Sequence, residues 1–232
     1  MGVPGPALAA GGSAVPVGRA HAAVLFDMDG TLVDSTASVV RCWVRLAEEL
    51  GVGLDRLRAA AGHGRPARDI VADLLPGEDE RVRAAALARI TELEVADVEG
   101  VVALPGAVAA LTAAGARGAI VTSCTRDLAV ARWSAAGLPV PAVVVTADDV
   151  ARGKPDPEPF LSGARLLGVD PARCLVVEDA PAGLVAGRAA GAATLAVTTT
   201  HAAEDLDADL VVPDLAAVRW HADADGVTLL PA

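Results

Sequence analysis

The 232 residues include no tyrosine, two phenylalanines and three tryptophans. Such a sparse aromatic set argues against a pocket built on ring stacking. Cysteine is scarce as well. Cys42, Cys124 and Cys174 are far apart and odd in number, which suggests neither a disulfide frame nor a zinc cluster and fits a reducing, cytoplasmic setting. No apolar run reaches the roughly 18 residues a membrane span requires, so no membrane partner is expected. The opening MGVPGPALAAGGSAVPVGRA lacks the basic start and firm apolar block of a secretory signal. Residues 1–20 read instead as a flexible, Pro/Gly-rich leader. The formal net charge of −11 argues against binding a phosphate backbone, which needs a basic face, so no nucleic-acid partner is expected. A few local cations and a metal can still reverse the sign of one cleft for a small phosphorylated ligand. Of the basic residues, Lys154 alone is a lysine.

Apolar material is plentiful at 53%, much of it Ala and Val. Short apolar runs at Ala22–Phe26, Gly118–Thr122, Ala142–Val145, Cys174–Val177, Thr194–Val197 and, more weakly, Leu210–Val212 read as strands. Between them Gly106–Ala114, Arg126–Ala136, Glu158–Leu167 and Ala180–Ala190 have helical period, and Gly115, Gly137, Gly168 and Gly191 stand just past their ends. This alternation predicts an α/β fold: a doubly wound, Rossmann-like parallel sheet with helices on both faces. One block breaks the rhythm. Val39–Leu50, Leu54–Ala60, Arg68–Leu74 and Glu80–Asp97 all read as helix, with Ser35 or Ser38 capping the first and Asp79 the last. The division expected is a core of residues 21–35 and 104–232 with an inserted α-helical cap, 36–103, over the carboxyl ends of the strands, where ligands bind in open parallel sheets.

Four strand ends carry chemistry. In FDMDGTLVDS, Asp27 ends a buried strand, Asp29 follows two positions on, and Gly30 permits a tight turn. An ionised carboxylate there can be a nucleophile or a metal ligand, and a second carboxyl can shuttle a proton. In AIVTSCT, hydroxyls meet a helix start at Arg126, where Ser123 and free backbone N–H groups can hold phosphate oxygens. In RGKPDPEP, Gly153 and three prolines stiffen a loop presenting Lys154, a compact charge suited to phosphate. In CLVVEDAPAG, Glu178 and Asp179 end another strand before Pro181 opens a helix. Together with Asp27 they make a hard-oxygen site that suits Mg2+ better than zinc.

In their order and spacing, FDMDGTLVDS, VTSC, GKPDPEPF and VVEDAPAG resemble the four motifs of the haloacid dehalogenase superfamily, across about residues 22–215. The helical insert resembles the cap of its β-phosphoglucomutase-like branch. TSCTRD, TADDVARGKPDPEPFL and EDAPAGLVAGRAAG are most similar to the sugar- and polyol-phosphate phosphatases, among them glycerol-phosphate and deoxyglucose-phosphate phosphatases. The resemblance implies that Asp27 attacks phosphorus to form an aspartyl-phosphate. It implies that Asp29 protonates the leaving oxygen and then activates water. Mg2+ would be held by Asp27, the backbone carbonyl of Asp29 and Asp179, with Glu178 in support. Ser123 and Lys154 would bind the phosphoryl oxygens, helped by backbone N–H groups near Asp29, Gly30 and Cys124.

The cap stretch AGHGRPARD offers His63, Arg65 and Arg68 as substrate donors. In several relatives an aromatic and an arginine precede a threonine where this chain has Arg65 and Pro66. The function expected is Mg2+-dependent hydrolysis of a small sugar or polyol phosphate. The alternative is a sugar-phosphate mutase, which needs a firm cationic clamp for a bisphosphate, whereas this cap has no lysine. The partner expected is a small phosphorylated metabolite, and the state a monomer or weak homodimer.

Overall fold

The computed structural model describes residues 17–60 and 67–231. In chain order, β1 (Ala20–His21), β2 (Ala23–Phe26) and β3 (Val33–Asp34) lead into α1 (Thr36–Glu49), α2 (Leu54–Ala60), α3 (Ala67–Leu74) and α4 (Glu80–Ala96). After β4 (Val102–Ala103) come α5 (Ala107–Ala114), β5 (Gly118–Val121), α6 (Arg126–Ala135), β6 (Val143–Val145), α7 (Glu158–Leu167), β7 (Cys174–Glu178), α8 (Pro181–Ala189) and β8 (Ala193–Val197). The chain closes with β9 (Leu210–Val212), β10 (Val218–Ala222) and β11 (Val227–Pro231).

The central sheet has the order β6-β5-β2-β7-β8-β9, and every pairing in it is parallel. Because side chains alternate across a strand, each central strand serves two cores. Val24 and Phe26, Ile120, and Leu175 and Val177 face α5 and the C-terminal strands. Ala23 and Leu25, Ala119 and Val121, and Cys174 and Val176 face Phe160 and Ala164 of α7 and Ala186 of α8. Burial on both faces is why these strands read as continuous apolar runs. Phe26 is fully buried and meets Trp220 with ring centroids 5.6 Å apart. Truncating it to alanine would cost about 3–5 kcal/mol.

The helices α1–α4 enclose a core of their own, built on Cys42, Trp43, Leu46, Leu57, Val71, Leu74 and Ile90. Two short strands carry the chain into and out of this unit, β3 pairing antiparallel with β4 through Val33–Ala103 and Asp34–Val102. Asp79 caps α4, accepting from Val82 N at 2.9 Å. The serines at the start of α1 do other work. Ser35 stands at the N-cap without a capping bond and donates to Asp29, and Ser38 donates to the carbonyl of Asp97 at 2.5 Å.

The start of the chain differs from the expected leader. Residues 1–16 lie outside the described residues, but Val17–Ala20 is not a free leader. Gly18 N donates to Leu229 O at 2.8 Å, and β1 pairs with β11. With β10 these strands form an antiparallel three-stranded sheet. Val218, Val227 and Leu229 pack it against the core, and this burial outweighs the weak strand signal of so polar a segment.

Candidate active site

Strand β2 stays paired one residue past its end, Asp27 N donating to Val177 O at 2.9 Å. Asp27 is therefore held rigidly, and it is only 7% exposed. The chain then turns back on itself. Leu32 N and Val33 N both donate to Met28 O, and Gly30 N to Val33 O. Gly30 sits at φ +85°, where a side chain is strained, and a Cβ there would lie 2.3 Å from Asp179 Oδ2. The turn thus lies against the carboxylate at the end of β7.

Lys154 explains its own uniqueness. Its side chain is 6% exposed, and Nζ reaches Asp27 Oδ1 at 2.5 Å, Glu178 Oε1 at 2.7 Å and Val121 O at 3.0 Å. An ammonium has three N–H donors, and three acceptors surround it. The charge lies 4.9 Å from the centre of the Phe160 ring. Burial opposes that charge, but Asp27 and Glu178 outweigh it and hold the pKa above the ordinary lysine value.

Glu178 is occupied by the protein's own donors. Oε1 takes Lys154, and Oε2 takes the backbone N–H of Asp179 and Ala180 at 3.1 and 3.2 Å. It lies over the start of α8, so close that a Cβ on Gly183 would stand 1.7 Å from Oε1. Asp179 is 5% exposed and accepts hydroxyls from Thr31, at 3.2 Å, and from Thr200. Burial, then the Glu178 charge, push its pKa up to about 7. Burial likewise raises Asp27 well above the carboxylate range, Lys154 offsetting part of the rise. Among the described residues no donor reaches Asp27 Oδ2.

Oxygens of Asp27, Glu178 and Asp179 lie within 4.8 Å of one another. These three buried carboxyl groups outnumber the one ammonium among them, and the raised pKa values of Asp27 and Asp179 reflect that excess. The donors are hard oxygens and the turn at Gly30 closes against them, which fits a divalent cation.

Asp29 faces another set of groups. Its Oδ1 accepts from Ser35 Oγ at 2.8 Å and pairs with Arg132 Nη1 at 2.9 Å, and its Oδ2 accepts from Cys124 Sγ at 3.0 Å. Burial and the neighbouring Asp29 charge raise the Cys124 thiol well above its ordinary range, so it is a donor here.

The fold therefore brings Asp27, Lys154, Glu178 and Asp179 into one cluster with Asp29 beside it. Ser123 is exposed at the tip of β5. The backbone N–H groups of Gly30 and Cys124 already have acceptors, Val33 O and Thr122 Oγ1, because each turn closes locally. His63 and Arg65 lie outside the described residues. Arg68 is 74% exposed and pairs with its neighbour Asp69 at 3.6 Å. Sequence reasoning missed a fifth tip. Thr199 and Thr200 after β8 bond to Gly30 O and Asp179, and His201 Nδ1 lies 3.1 Å from Asp179 O. The run TTTH at a strand end was the signal. Thr31, Ser35, Arg132 and Glu94 were missed as well.

Carboxylates from two strand ends around one buried ammonium, at the carboxyl edge of a parallel sheet, define an α/β enzyme of the phosphoryl-transfer class. The chain belongs to the haloacid dehalogenase-like hydrolases, whose family model matches residues 21–191. It is 44% identical over 195 residues to hexitol phosphatase A of Escherichia coli, covering 82% of this chain and 90% of that protein. To the validoxylamine A 7'-phosphate phosphatase of Streptomyces hygroscopicus it is 39% identical over 210 residues, covering 84% and 95%. The crystal structure of CbbY from Rhodobacter sphaeroides in complex with phosphate superimposes with a TM-score of 0.70 at 26% identity, covering 84% and 95% of the two chains. The protein is a phosphoric monoester hydrolase. Among the described residues no helix is long and apolar enough to cross a membrane.

Proposed function

We infer that the protein is a Mg2+-dependent phosphatase of small sugar or polyol phosphates, working through an aspartyl-phosphate on Asp27. The observation that carries this reading is the free Oδ2 of Asp27, a rigidly held carboxylate oxygen beside the one buried ammonium. The names of the relatives, a hexitol phosphatase among them, support the substrate class.

Asp27 Oδ2 attacks phosphorus, the bond to the ester oxygen breaks, and Asp29 supplies the proton that the leaving alkoxide needs. Asp29 then takes a proton from a water that attacks the same phosphorus. The acyl-phosphate bond breaks, freeing phosphate and restoring Asp27. Lys154 exchanges one of its three protein acceptors for a phosphoryl oxygen, and Ser123, exposed at the next tip, adds a hydroxyl. Asp27, Asp179 and the Asp29 carbonyl would hold Mg2+, with Glu178 fixing Lys154 and the β7 tip. The cation supplies charge neutralisation for the transferring phosphoryl group.

The test is phosphate release from a panel of hexitol, glycerol and aldose phosphates by the wild type and Asp27→Asn. Turnover should vanish in the variant while its melting temperature holds or rises, since a neutral amide replaces a buried charge. An Asp27→Asn enzyme that still turns over would remove Asp27 as nucleophile. Isomerised sugar phosphate in place of free phosphate would overturn hydrolysis.

A further inference from the structure

Arg132 looks ordinary in the sequence, one arginine of many on a helix. In the structure it is 4% exposed and stands between the helical unit and the sheet. Nη1 pairs with Asp29 Oδ1 at 2.9 Å and donates to Cys124 Sγ at 3.2 Å. Nη2 faces Glu94 Oε2 of α4 at 3.5 Å without hydrogen-bond geometry, and Nε has no acceptor. Glu94 is largely shielded as well, its side chain 13% exposed. The guanidinium is tied firmly to Asp29 and loosely to the cap. A buried arginine with two idle nitrogens is costly, so its retention needs a reason.

We propose that Arg132 is a positioning residue for the proton transfers assigned to Asp29, with Glu94 of the cap as its anchor. The inference rests on the reading of function given above. Asp29 Oδ1 accepts from Ser35 Oγ and stands in an ion pair with the Arg132 guanidinium. Both contacts fall on that one oxygen. Oδ2 has only a thiol for company, and a thiol is a weak donor. Arg132 and Ser35 thus fix the carboxyl in one orientation and leave Oδ2 as the oxygen that gives and takes the proton. The Glu94 contact ties this orientation to the helical unit that covers the strand ends. Cys124, touching both partners, fills the remaining space beside them.

The test compares kcat/KM for a hexitol phosphate and for para-nitrophenyl phosphate in Arg132→Met, Arg132→Lys and Glu94→Gln. Nitrophenolate leaves without a proton, whereas an alkoxide needs one, and kcat/KM reports the step that forms the phosphoenzyme. Arg132→Met should lose about 30-fold or more on the hexitol ester and less than about 3-fold on the aryl ester, since general acid catalysis supplies roughly 10²–10⁴-fold. Arg132→Lys keeps a charge within reach of Asp29 and should recover part of the loss. Glu94→Gln keeps the shape and should lose less than Arg132→Met, on the hexitol ester alone. Melting curves report whether each variant folds. If Arg132→Met does not fold, Glu94→Gln and Arg132→Lys decide the matter. Equal losses on both esters, as a packing role or a direct substrate contact would give, overturn the proposal, as does no loss on either. A wild-type enzyme that hydrolyses neither ester overturns the reading of function and this inference with it. An active wild type whose ester preference is unmoved by the variants overturns the inference alone.

Discussion

Protons and a divalent cation compete for the same buried carboxylates, and that competition sets how much the metal stabilises the fold at each pH. In the absence of metal, burial and the Glu178 charge hold the Asp179 pKa at about 7, against an unfolded value near 3.8. Its folded pKa is raised, so between these limits the folded state binds more protons than the unfolded one. The metal-free protein then loses stability as pH rises through that window, by at most about 4 kcal/mol from this residue. Asp27 is shifted in the same direction. Ionised surface pairs such as Glu49–Arg89 contribute the opposite slope, confined to below about pH 4.5, because the Arg89 hydrogen bond holds Glu49 at about 2. The difference between Mg2+ and EDTA at each pH cancels them. With Mg2+ at about 100 times its dissociation constant, the gain at about pH 8 is roughly 2.7 kcal/mol. For a chain of this size that is about 5–10 °C in melting temperature. At about pH 5 one proton must be displaced from a group two units below its pKa, apparent affinity falls about 100-fold, and the gain shrinks to about 0.4 kcal/mol. The assay is thermal melting from about pH 5 to 8 with Mg2+ or EDTA. A melting shift that is constant over this range, or absent at its upper end, would refute both the acid cluster as the metal site and the sign of its proton linkage.

Two substitutions probe the geometry more directly. Lys154→Arg should be as inactive as Lys154→Met, and about 1–3 kcal/mol less stable than the wild type. A planar fork cannot meet three acceptors at 2.5, 2.7 and 3.0 Å around one nitrogen. Recovery of even a tenth of wild-type kcat by the arginine would show that charge alone suffices. Gly30→Ala places a Cβ 2.3 Å from Asp179 Oδ2 at φ +85°. It should cost about 1–2 kcal/mol for the backbone alone and abolish the stabilisation by Mg2+, read as the loss of the metal-dependent melting shift.

The α/β pattern was legible because the sheet is parallel and covered on both faces. Strands such as Cys174–Glu178 are then unbroken apolar runs, bounded by helices that stop at glycine, as at Gly168 with φ +70°. The helical unit was legible from the absence of such runs between Asp34 and Val102. What escaped notice was pairing between distant or very short segments. The two-residue strands β3 and β4 have no pattern of their own and exist because the chain enters and leaves the helical unit side by side. The C-terminal hairpin is half polar, with Arg219 and His221 exposed, and is held by partners about 200 residues earlier, at Ala20 and His21.

The candidate cluster was readable for a related reason: its residues break local rules. Acids at the end of a buried strand, a glycine in a turn and one lysine among arginines are each anomalous against their surroundings, and a shared site resolves the anomalies together. Arg132 and Glu94 break no rule locally. Each sits on a helix that carries other charged residues, and only the packing of α4 on α6 brings Glu94 to the buried Arg132 beside Asp29. The groups expected to perform the chemistry are therefore announced by composition along the chain. The group that would orient them, and link them to the helical unit, depends on how two cores meet. The sequence of either core read alone contains neither that meeting nor its chemical consequence.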